Sequence, residues 1–195
     1  MARPVKYDRD ILLQKAMDIF WTKGYEAASV HDLLTGLDIH RGTLYDSFGD
    51  KHSLFMEVLE YYERNVGFPL LRILEQPGPK KAAIRDLFDR LVTVLSSESG
   101  RRGCLMTNAA IERALCDDTV AARTERVNAV WIGSFRKALE TAQSAGEMPP
   151  RDPQATEALA RYLYATVQGL RVLARTSRSS AELRPVVEIA LTSLD

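Results

Sequence analysis

Apolar residues recur at every third or fourth position along most of the chain, and this spacing predicts α-helices. The pattern is clearest between residues 84 and 95, where apolar side chains would line one face of a helix. Similar stripes precede and follow it, and no stretch shows the alternation of apolar and polar residues that marks a half-buried strand. The sequence therefore predicts an all-α protein in which each helix buries one face.

Glycine and proline mark where several of these helices should end. A first helix is predicted at about Arg9–Lys23, because Gly24 follows it as a left-handed stop. A longer helix is predicted further along the chain, over Lys51–Leu74, because the next strong breaker is the Gln76–Pro79 turn. That long helix would belong to both halves of the protein.

The segment Ser29–Met56 combines two short helices with a tight turn. Ser29 marks the start of the first of these two short helices, and Asp32, three residues later, completes an approximate capping box. Only Asp38 and Ile39 are available for the turn before the next helix. Two helices joined by three or four residues at a steep angle form a helix-turn-helix, whose second helix enters the DNA major groove.

The run RGTLYDSFGDK at Arg41–Lys51 resembles the recognition helix and following loop of the TetR family of transcriptional regulators. The preceding segment Ile11–Ser29 is similar to the first helix of that family, and GCLMTNAAIE is a further local likeness. The resemblance implies a helix-turn-helix DNA-binding domain over residues 1–50 and a helical effector-binding and dimerisation domain over residues 51–195. It also implies a repressor that a small-molecule effector releases from a palindromic DNA operator.

The predicted DNA contacts lie on the recognition helix or at helix ends beside it. Arg41 can donate two hydrogen bonds to a guanine or bind a phosphate, and Gly42 lets the backbone approach the duplex closely. Leu44 and Phe48 are expected to point inward and hold the helix. The alternative is an exposed polar face with no DNA role. The predicted set is Ser29, His40, Arg41, Gly42, Thr43, Tyr45 and Lys51.

Three residues depart from the usual pattern of the family. Asp38 stands where the turn usually carries glycine, His40 replaces a common Ser/Thr cap, and Asp46 replaces a frequent His or Tyr. A carboxylate at Asp46 repels phosphate unless it accepts a hydrogen bond from a cytosine amino group. These changes leave the predicted fold intact and the operator sequence open.

Net charge alone does not favour a nucleic-acid partner, because the chain holds 26 Lys/Arg and 26 Asp/Glu. Residues 1–51 hold seven basic and eight acidic side chains, whereas DNA-binding domains are usually basic. A groove binder needs only a positive contact face, so the motif outweighs the composition. Arg3 and Lys6 lie in a terminal arm that either reaches an adjacent minor groove or is a disordered end.

The last two predicted helices carry more apolar surface than one seam requires. Their apolar residues repeat at spacings of three and four, in the manner of heptads. The extra face favours burial against a second subunit, which predicts a homodimer with a four-helix interface. The alternative is a monomer with a well-buried C-terminus. The predicted interface residues are Leu159, Tyr162, Leu163, Thr166, Leu170, Leu173, Leu183, Val187, Ala190 and Leu194.

The family resemblance implies an effector pocket in the second half of the chain. Its candidate lining is mostly apolar with a few polar groups, as is usual in ligand pockets. The alternative is an ordinary core, since aromatic residues at helical spacing are usually packing residues. The candidates are Phe88, Val92, Cys104, Leu105, Asn108, Trp131, Phe135, Tyr164 and Gln168.

Cys104 supports an alternative function, a thiol-based redox or electrophile sensor on the same fold. It follows Arg101 and Arg102 and opens a predicted helix, and both the arginines and the helix N-terminus would lower the pKa of its thiol. The other interpretation is a small buried packing residue. Cys116 lies twelve residues further on and is not expected to pair with it.

Other classes of function find little support in the sequence. It contains no Gly-rich phosphate loop, no nucleophile-elbow motif and no zinc-type His/Cys cluster, so no enzyme activity, cofactor or metal is predicted. No apolar run approaches the ~20 residues that span a bilayer, and the charged start is unlike a signal peptide, which predicts a cytoplasmic protein. A small-molecule-binding protein without DNA function is the remaining alternative.

Overall fold

The computed structural model describes residues 8–176 and 179–195, so the terminal arm predicted around Arg3 and Lys6 lies outside the described residues. Within the described ranges every regular element is helical, and the all-α prediction is confirmed. The α-helices are α1 (Arg9–Lys23), α2 (Val30–Leu37), α3 (Arg41–Phe48), α4 (Lys51–Tyr62), α5 (Arg72–Glu75), α6 (Lys80–Leu95), α7 (Leu105–Arg113), α8 (Asp118–Ser144), α9 (Pro153–Leu173) and α10 (Ser180–Leu191).

Helices α1 to α4 form the N-terminal head, in which α1 packs along α4. Asp8 caps α1 by accepting a hydrogen bond from the Asp10 N–H at 3.0 Å, and Gly24 ends the helix with a φ of 83°. These are the predicted ends. Ile11 is exposed, because the buried face of α1 points away from it. That face consists of Leu12, Leu13, Ala16, Met17 and Phe20.

Helices α2 and α3 form the helix-turn-helix. Ser29 and Asp32 make a complete capping box: Ser29 Oγ accepts from the Asp32 N–H at 3.0 Å, and Asp32 Oδ2 accepts from the Ser29 N–H at 2.9 Å. Asp38 ends α2 in the left-handed region with a φ of 56°, a conformation that aspartate tolerates better than most side chains. The chain then enters α3 within three residues.

Helix α4 is shorter than predicted: it ends at Tyr62, whereas the prediction placed its end at Leu74. A π-helical turn over Glu63–Gly67, called here the π segment, follows it, and a 3₁₀ turn over Phe68–Leu70 leads to α5. Pro69 explains the interruption, since it has no N–H to donate and its ring crowds the carbonyl four residues earlier. The head is therefore joined to the rest of the chain by an irregular segment and not by one rod.

Helices α5 to α10 form the larger body. Helix α8 packs along α9, and α6 and α10 pack against this pair. Trp131 and Phe135 of α8 and Phe88 of α6 are fully buried at its centre, with ring centroids 6.2 Å apart for Phe88 and Phe135. Among the described residues, no helix combines the length and the apolar character that crossing a membrane would need.

The heptad-like seam of α9 and α10 lies inside the subunit, which corrects the predicted dimer interface. Tyr162 and Leu173 are exposed, and Thr166 is half-buried. The other predicted interface residues are buried against their own chain and have no surface left for a partner. These are Leu159, Leu163, Leu170, Leu183, Val187, Ala190 and Leu194. Spacing identified the buried face correctly, but it does not say which chain covers that face.

Candidate nucleic-acid interface and effector cavity

Helix α3 presents a polar face to solvent and an apolar face to the head. Leu44 and Phe48 are buried as predicted, and they fix the rotation of the helix about its axis. Arg41 and Tyr45 are exposed, and neither makes a side-chain hydrogen bond or ion pair with the described part of the chain. Thr43 lies between them, half-buried. The predicted base- and phosphate-contacting side chains are thus brought to one surface and are available for a ligand outside the subunit.

Gly42 is exposed, and a Cβ atom added there would meet nothing within 4 Å. Its backbone is not in the left-handed region, so neither strain nor crowding within the chain requires glycine at this position. Gly42 therefore leaves open space on the solvent side of this helix start. This agrees with its predicted place at the closest approach to DNA.

Of the remaining predicted DNA contacts, Ser29 and Lys51 already contact other side chains of their own subunit, and His40 does not cap α3. Ser29 Oγ is occupied by Asp32 in the capping box, so capping alone accounts for this residue. His40 is exposed at the start of α3, but its side chain makes no capping hydrogen bond. Lys51 is half-buried, and its Nζ lies 4.4 Å from the centroid of the Tyr25 ring. A phosphate contact by Lys51 would compete with this cation–π contact.

Arg9 is a positioning residue for α3 that sequence reasoning did not identify. Its guanidinium donates to both carboxylate oxygens of Glu57 on α4, with its Nη2 at 2.6 and 2.7 Å, and to the Ser47 carbonyl at 3.0 Å. It also lies 4.5 Å from the centroid of the Phe48 ring. One side chain of α1 therefore holds the end of α3 against α4.

The body contacts the head through the region where α7 meets α8. The Glu112 carboxylate accepts hydrogen bonds from the backbone N–H groups of Tyr25 and Glu26, each at 2.8 Å. Arg113 forms an ion pair with Glu26. These contacts hold the loop between α1 and α2 against α7.

A second link joins the first turn of α4 to the start of α8. His52 Nε2 lies 2.9 Å from Asp117 Oδ2 and 3.2 Å from Thr119 Oγ1. Asp117 also caps α8 by accepting from the Thr119 and Val120 N–H groups at 3.1 and 3.2 Å. Helix α4 follows α3 directly, so this link lies next to the recognition helix.

A cavity of about 500 Å³ lies between head and body. Trp21 of α1, Tyr62 at the end of α4 and the π segment form one side of it, and α6 and α9 form the other. Its apolar lining is Val66, Pro69, Leu70, Ile73, Leu91, Val94 and Leu95, and its polar lining is Trp21, Tyr62, Asn65, Arg90, Arg102 and Arg171. This volume and this mixture of walls suit a small organic molecule.

The predicted effector residues do not line this cavity. Trp131, Tyr164, Gln168 and Cys104 surround a neighbouring space of about 10 Å³, which is near the size of one water molecule. Asn108 hydrogen-bonds to the Arg102 carbonyl at 3.0 Å and to Arg175 at 2.9 Å. The other predicted members, Phe88, Val92, Leu105 and Phe135, are buried core residues.

Cys104 is 3 % exposed, and Cys116 is exposed; both are free thiols. Burial raises the pKa of the Cys104 thiol, but Arg171 and hydrogen bonds involving Thr107 and Tyr62 leave that pKa below its ordinary value. The direction agrees with the prediction, and so does one predicted cause, since the backbone N–H of Thr107 in the first turn of α7 contributes to the lowering; the predicted arginines do not. Arg102 pairs with Asp18 at 2.7 Å, and the cation that lowers the thiol pKa comes from α9.

Known proteins resemble both halves of the chain. The family model "Bacterial regulatory proteins, tetR family" matches residues 12–58, and the model "Transcriptional regulator LmrA/YxaF-like, C-terminal domain" matches residues 81–189. The uncharacterised HTH-type transcriptional regulator YezE of Bacillus subtilis (strain 168) is 33 % identical over 195 residues, which is 100 % of both chains. The chain belongs to the TetR family.

Two further relatives extend this TetR assignment. The HTH-type transcriptional repressor ComR of Escherichia coli (strain K12) is 30 % identical and aligns with 98 % of this chain and 90 % of its own. A cysteine mutant of the TetR-family regulator CifR, solved with a 26-base-pair operator DNA, superposes with a TM-score of 0.88. It is 30 % identical, and the match covers 99 % of this chain and 100 % of that one. The chain is thus a helix-turn-helix transcriptional regulator.

Sequence reasoning missed the residues of this TetR regulator that line the large cavity. Trp21 and Arg171 are 150 positions apart in the sequence, and the likeness of Ile11–Ser29 to the first helix of the family does not mark Trp21 as a ligand contact. One local signal was available for Arg171, since it lies four residues after Val167 and three before Ala174, on the buried stripe of α9. A charged residue on an apolar stripe is a candidate functional group.

Proposed function

We propose that this TetR regulator is a repressor that binds a near-palindromic operator as a homodimer and that a small molecule in the large cavity releases it. One observation carries the proposal: the cavity wall includes the π segment, which continues directly from α4, and α4 follows the exposed face of α3. Ligand and DNA surfaces are therefore connected by one short stretch of chain. ComR is named a repressor, and the mutant CifR structure contains operator DNA.

The DNA contact would rest on a few well-placed side chains. Arg41, Gly42, Thr43 and Tyr45 would enter the major groove, and two copies related by a two-fold axis would occupy grooves about 34 Å apart. Because residues 1–51 hold seven basic and eight acidic side chains, we expect no broad basic surface to contribute. We therefore expect modest affinity for random DNA and a measurable salt slope that corresponds to a few phosphate contacts.

The switch would operate through two connections between body and head. A ligand that moves α6 away from the π segment would tilt α4. Separately, the Glu112 contact would transmit a movement of α7 to the loop after α1. The ligand can shift this equilibrium only by its difference in affinity for the two arrangements. A domain division at residue 50 fits this scheme, with residues 1–50 as the reading unit and residues 51–195 as the regulatory and pairing unit. We infer a cytoplasmic regulator without enzymatic activity.

The direct test is fluorescence anisotropy with a near-palindrome from the intergenic DNA beside the gene. Arg41→Ala should weaken operator binding by about 10- to 100-fold, because a bidentate arginine contact supplies about 1–3 kcal/mol. Arg72→Ala is the matched control, since it removes the same charge from exposed α5. Unchanged operator affinity in Arg41→Ala would refute the DNA assignment. A salt slope near zero would favour a small-molecule-binding protein without DNA function.

The thiol-sensor alternative has a different expectation. A sensor thiol must meet its oxidant, and Cys104 is buried between Tyr62 and the body, with Tyr62 Oη 3.3 Å from its Sγ. Under our proposal Cys104→Ser still releases DNA when effector is added. Loss of the response in Cys104→Ser, with operator affinity intact, would support the thiol sensor instead.

A further inference from the structure

Arg171 is a buried cation without a carboxylate partner. Its residue is 7 % exposed, and its guanidinium donates from Nη1 to Gln168 Oε1 at 2.9 Å. The guanidinium also lies 4.8 Å from the centroid of the Trp131 ring. Among the described residues, no Asp or Glu oxygen lies within 4.0 Å of it and no other side chain accepts from it. Four of its five N–H groups therefore have no acceptor within the described chain.

The groups around Arg171 do not replace a carboxylate. Tyr62 and Tyr164 are its phenolic neighbours, and burial raises the pKa of Tyr164 to about 12 and that of Tyr62 well above its ordinary value, so both are neutral. The third neighbour is the Cys104 thiol, which already accepts from Tyr62. Removing a guanidinium from water without an anionic partner is energetically costly.

A second donor without an acceptor belongs to another residue of the cavity wall. Trp21 Nε1 is buried, and no described atom accepts its hydrogen. The Trp21 ring is held on both sides, with the Tyr62 ring centroid at 5.0 Å and the Arg102 guanidinium at 4.2 Å. Both Trp21 and Arg171 belong to the wall of the 500 Å³ cavity, while Leu70, Ile73 and Val94 give it an apolar side.

We propose that the effector is an amphipathic organic carboxylate, whose carboxylate binds Arg171 and whose hydrocarbon part fills the apolar side of the cavity. This rests on the proposed function, since it names the chemical class of the ligand for that site. A carboxylate has two oxygens that match the planar fork of a guanidinium, and it has spare lone pairs for Trp21 Nε1. The cavity volume of about 500 Å³ lies in the usual range for small-molecule sites and leaves ample room for a hydrocarbon chain or ring system.

This binding mode also explains why the ligand would act on the head. Arg171 belongs to α9 of the body, and Trp21 belongs to α1 of the head. A carboxylate held between them adds a contact that spans the junction. The ligand would thereby favour one relative position of head and body, and operator affinity would change only as far as that position differs from the DNA-bound one.

The test is isothermal titration calorimetry on the full-length protein with matched probes, octanoate against 1-octanol and phenylacetate against 2-phenylethanol. Wild type should bind each carboxylate at least tenfold more tightly than its alcohol. Arg171→Met should remove this preference and leave alcohol binding unchanged within about threefold, since a charge-assisted hydrogen bond is worth about 10- to 100-fold in affinity. Arg85→Met, which removes an exposed cation from α6, is the control and should keep the preference.

Further variants keep the proposal falsifiable if Arg171→Met is poorly behaved. Trp21→Phe keeps the ring and removes the donor, and it should weaken carboxylates by a few fold without affecting alcohols. Thermal melting without ligand should show Arg171→Met as stable as wild type or more so, because an uncompensated buried charge has been removed. Cys104→Ser should leave the carboxylate preference as it is in wild type. A preference that appears or rises at least tenfold only in Cys104→Ser would identify a thiolate as the partner of Arg171 in wild type and overturn the proposal.

Operator release separates this inference from the proposed function. If neutral alcohols release DNA and carboxylates bind no better, the ligand class is wrong and the switch stands. If carboxylates bind through Arg171 but operator affinity does not change, the ligand class stands and the switch fails. Equal binding of acid and alcohol to wild type overturns the inference whatever the DNA result.

Discussion

No contact or backbone strain within the described part of the chain explains why position 42 is a glycine. It lies in the first turn of α3, exposed, in ordinary helical backbone, with open space where a side chain would be. Glycine destabilises a helix relative to alanine by about 0.5–1 kcal/mol, so this position is not optimised for stability. The neighbouring Leu44 is fully buried and has the opposite role.

Gly42→Ala should separate stability from DNA binding. We expect the free energy of unfolding to rise by about 0.5–1 kcal/mol, because alanine favours the helix and clashes with nothing. Operator affinity should fall by about tenfold, because the added methyl keeps the backbone from the duplex. Chemical denaturation and fluorescence anisotropy measure the two effects. Unchanged affinity together with raised stability would remove Gly42 from the DNA surface.

Local chemistry made several residues predictable, and long-range contacts did not. The Ser29 cap and the Asp50 cap, which accepts from the Ser53 N–H at 2.6 Å, involve partners three residues away and could be read from spacing. Lys51 was expected at a phosphate, yet it stacks on Tyr25, which comes from a different helix-flanking loop. A sequence pattern does not specify which ring a lysine meets.

At the scale of elements, α7 connects the body to the head more directly than the sequence suggested. The expected connection was one long helix, but Pro69 and the π segment interrupt it. Glu112, near the end of α7, accepts two N–H groups of the loop after α1. Gly24 is close by, and a Cβ there would lie 3.0 Å from Glu112 Oε2, so this glycine also lets the carboxylate approach.

Glu112→Ala should weaken the coupling between ligand and DNA. Loss of two hydrogen bonds at an exposed site should lower the free energy of unfolding by about 1 kcal/mol. Effector affinity should stay the same, while the ratio of operator affinities with and without effector should fall. Glu125→Ala, an exposed acidic position on α8, serves as the control. If the ratio is unchanged in Glu112→Ala, α7 does not transmit the signal.

The cap of α8 predicts a dependence of stability on pH. Hydrogen bonds, the largest from Thr119, outweigh burial and hold the pKa of the Asp117 carboxyl well below its usual range. A carboxyl whose pKa is depressed on folding stabilises the protein above its unfolded value, 3.8, and this stabilisation is lost as pH falls below it.

Asp117→Ala should therefore lower the free energy of unfolding by about 1 kcal/mol at pH 7, as expected for a lost N-cap. The difference from wild type should shrink as pH falls below 3.8, because the Asp117 carboxyl is then protonated in the unfolded chain while it stays ionised in the folded one. Denaturant unfolding at pH 7 and at pH 3 measures it. Asp118→Ala removes an exposed neighbouring carboxylate and should show neither effect. A difference that grows in acid would contradict this account.

At the scale of the whole molecule, the outer faces of α9 and α10 are the candidates for the dimer contact. Helix α10 exposes Val186 and Ile189, and α9 exposes Tyr162, Val172 and Leu173. Adjacent exposed apolar side chains of this kind commonly mark a protein–protein interface. This surface keeps Tyr162 and Leu173 of the predicted interface, whereas the rest of the heptad-like seam is buried within one chain.

Ile189→Asp should convert the dimer into a monomer. Ile189 is 69 % exposed in the single subunit, so a charge there is tolerated by the fold and would be buried only on pairing. Light scattering at micromolar concentration should give the monomer mass, and operator affinity should fall with it. Leu115→Asp introduces the same charge at an exposed position after α7 and should stay dimeric. A dimeric Ile189→Asp would place the interface elsewhere.

The overall architecture followed from the sequence because helical period, caps and breakers act over a few residues. Both the helix-turn-helix and its buried anchors, Leu44 and Phe48, belong to this class. The cavity did not follow, because Trp21 and Arg171 meet only when head and body are assembled. The predicted effector residues are mostly apolar, and core packing selects the same character, as Phe88 and Phe135 show.

The closure of the seam within one chain has a consequence for how repression would depend on the amount of protein in the cell. Since each subunit completes its own core, a subunit that leaves its partner stays folded and ready to pair again. Operator occupancy would then follow the concentration of pairs, which rises with the square of total protein when pairs are scarce. A modest change in protein concentration, by synthesis or by dilution at cell division, would therefore change operator occupancy more steeply than it would for a monomeric repressor.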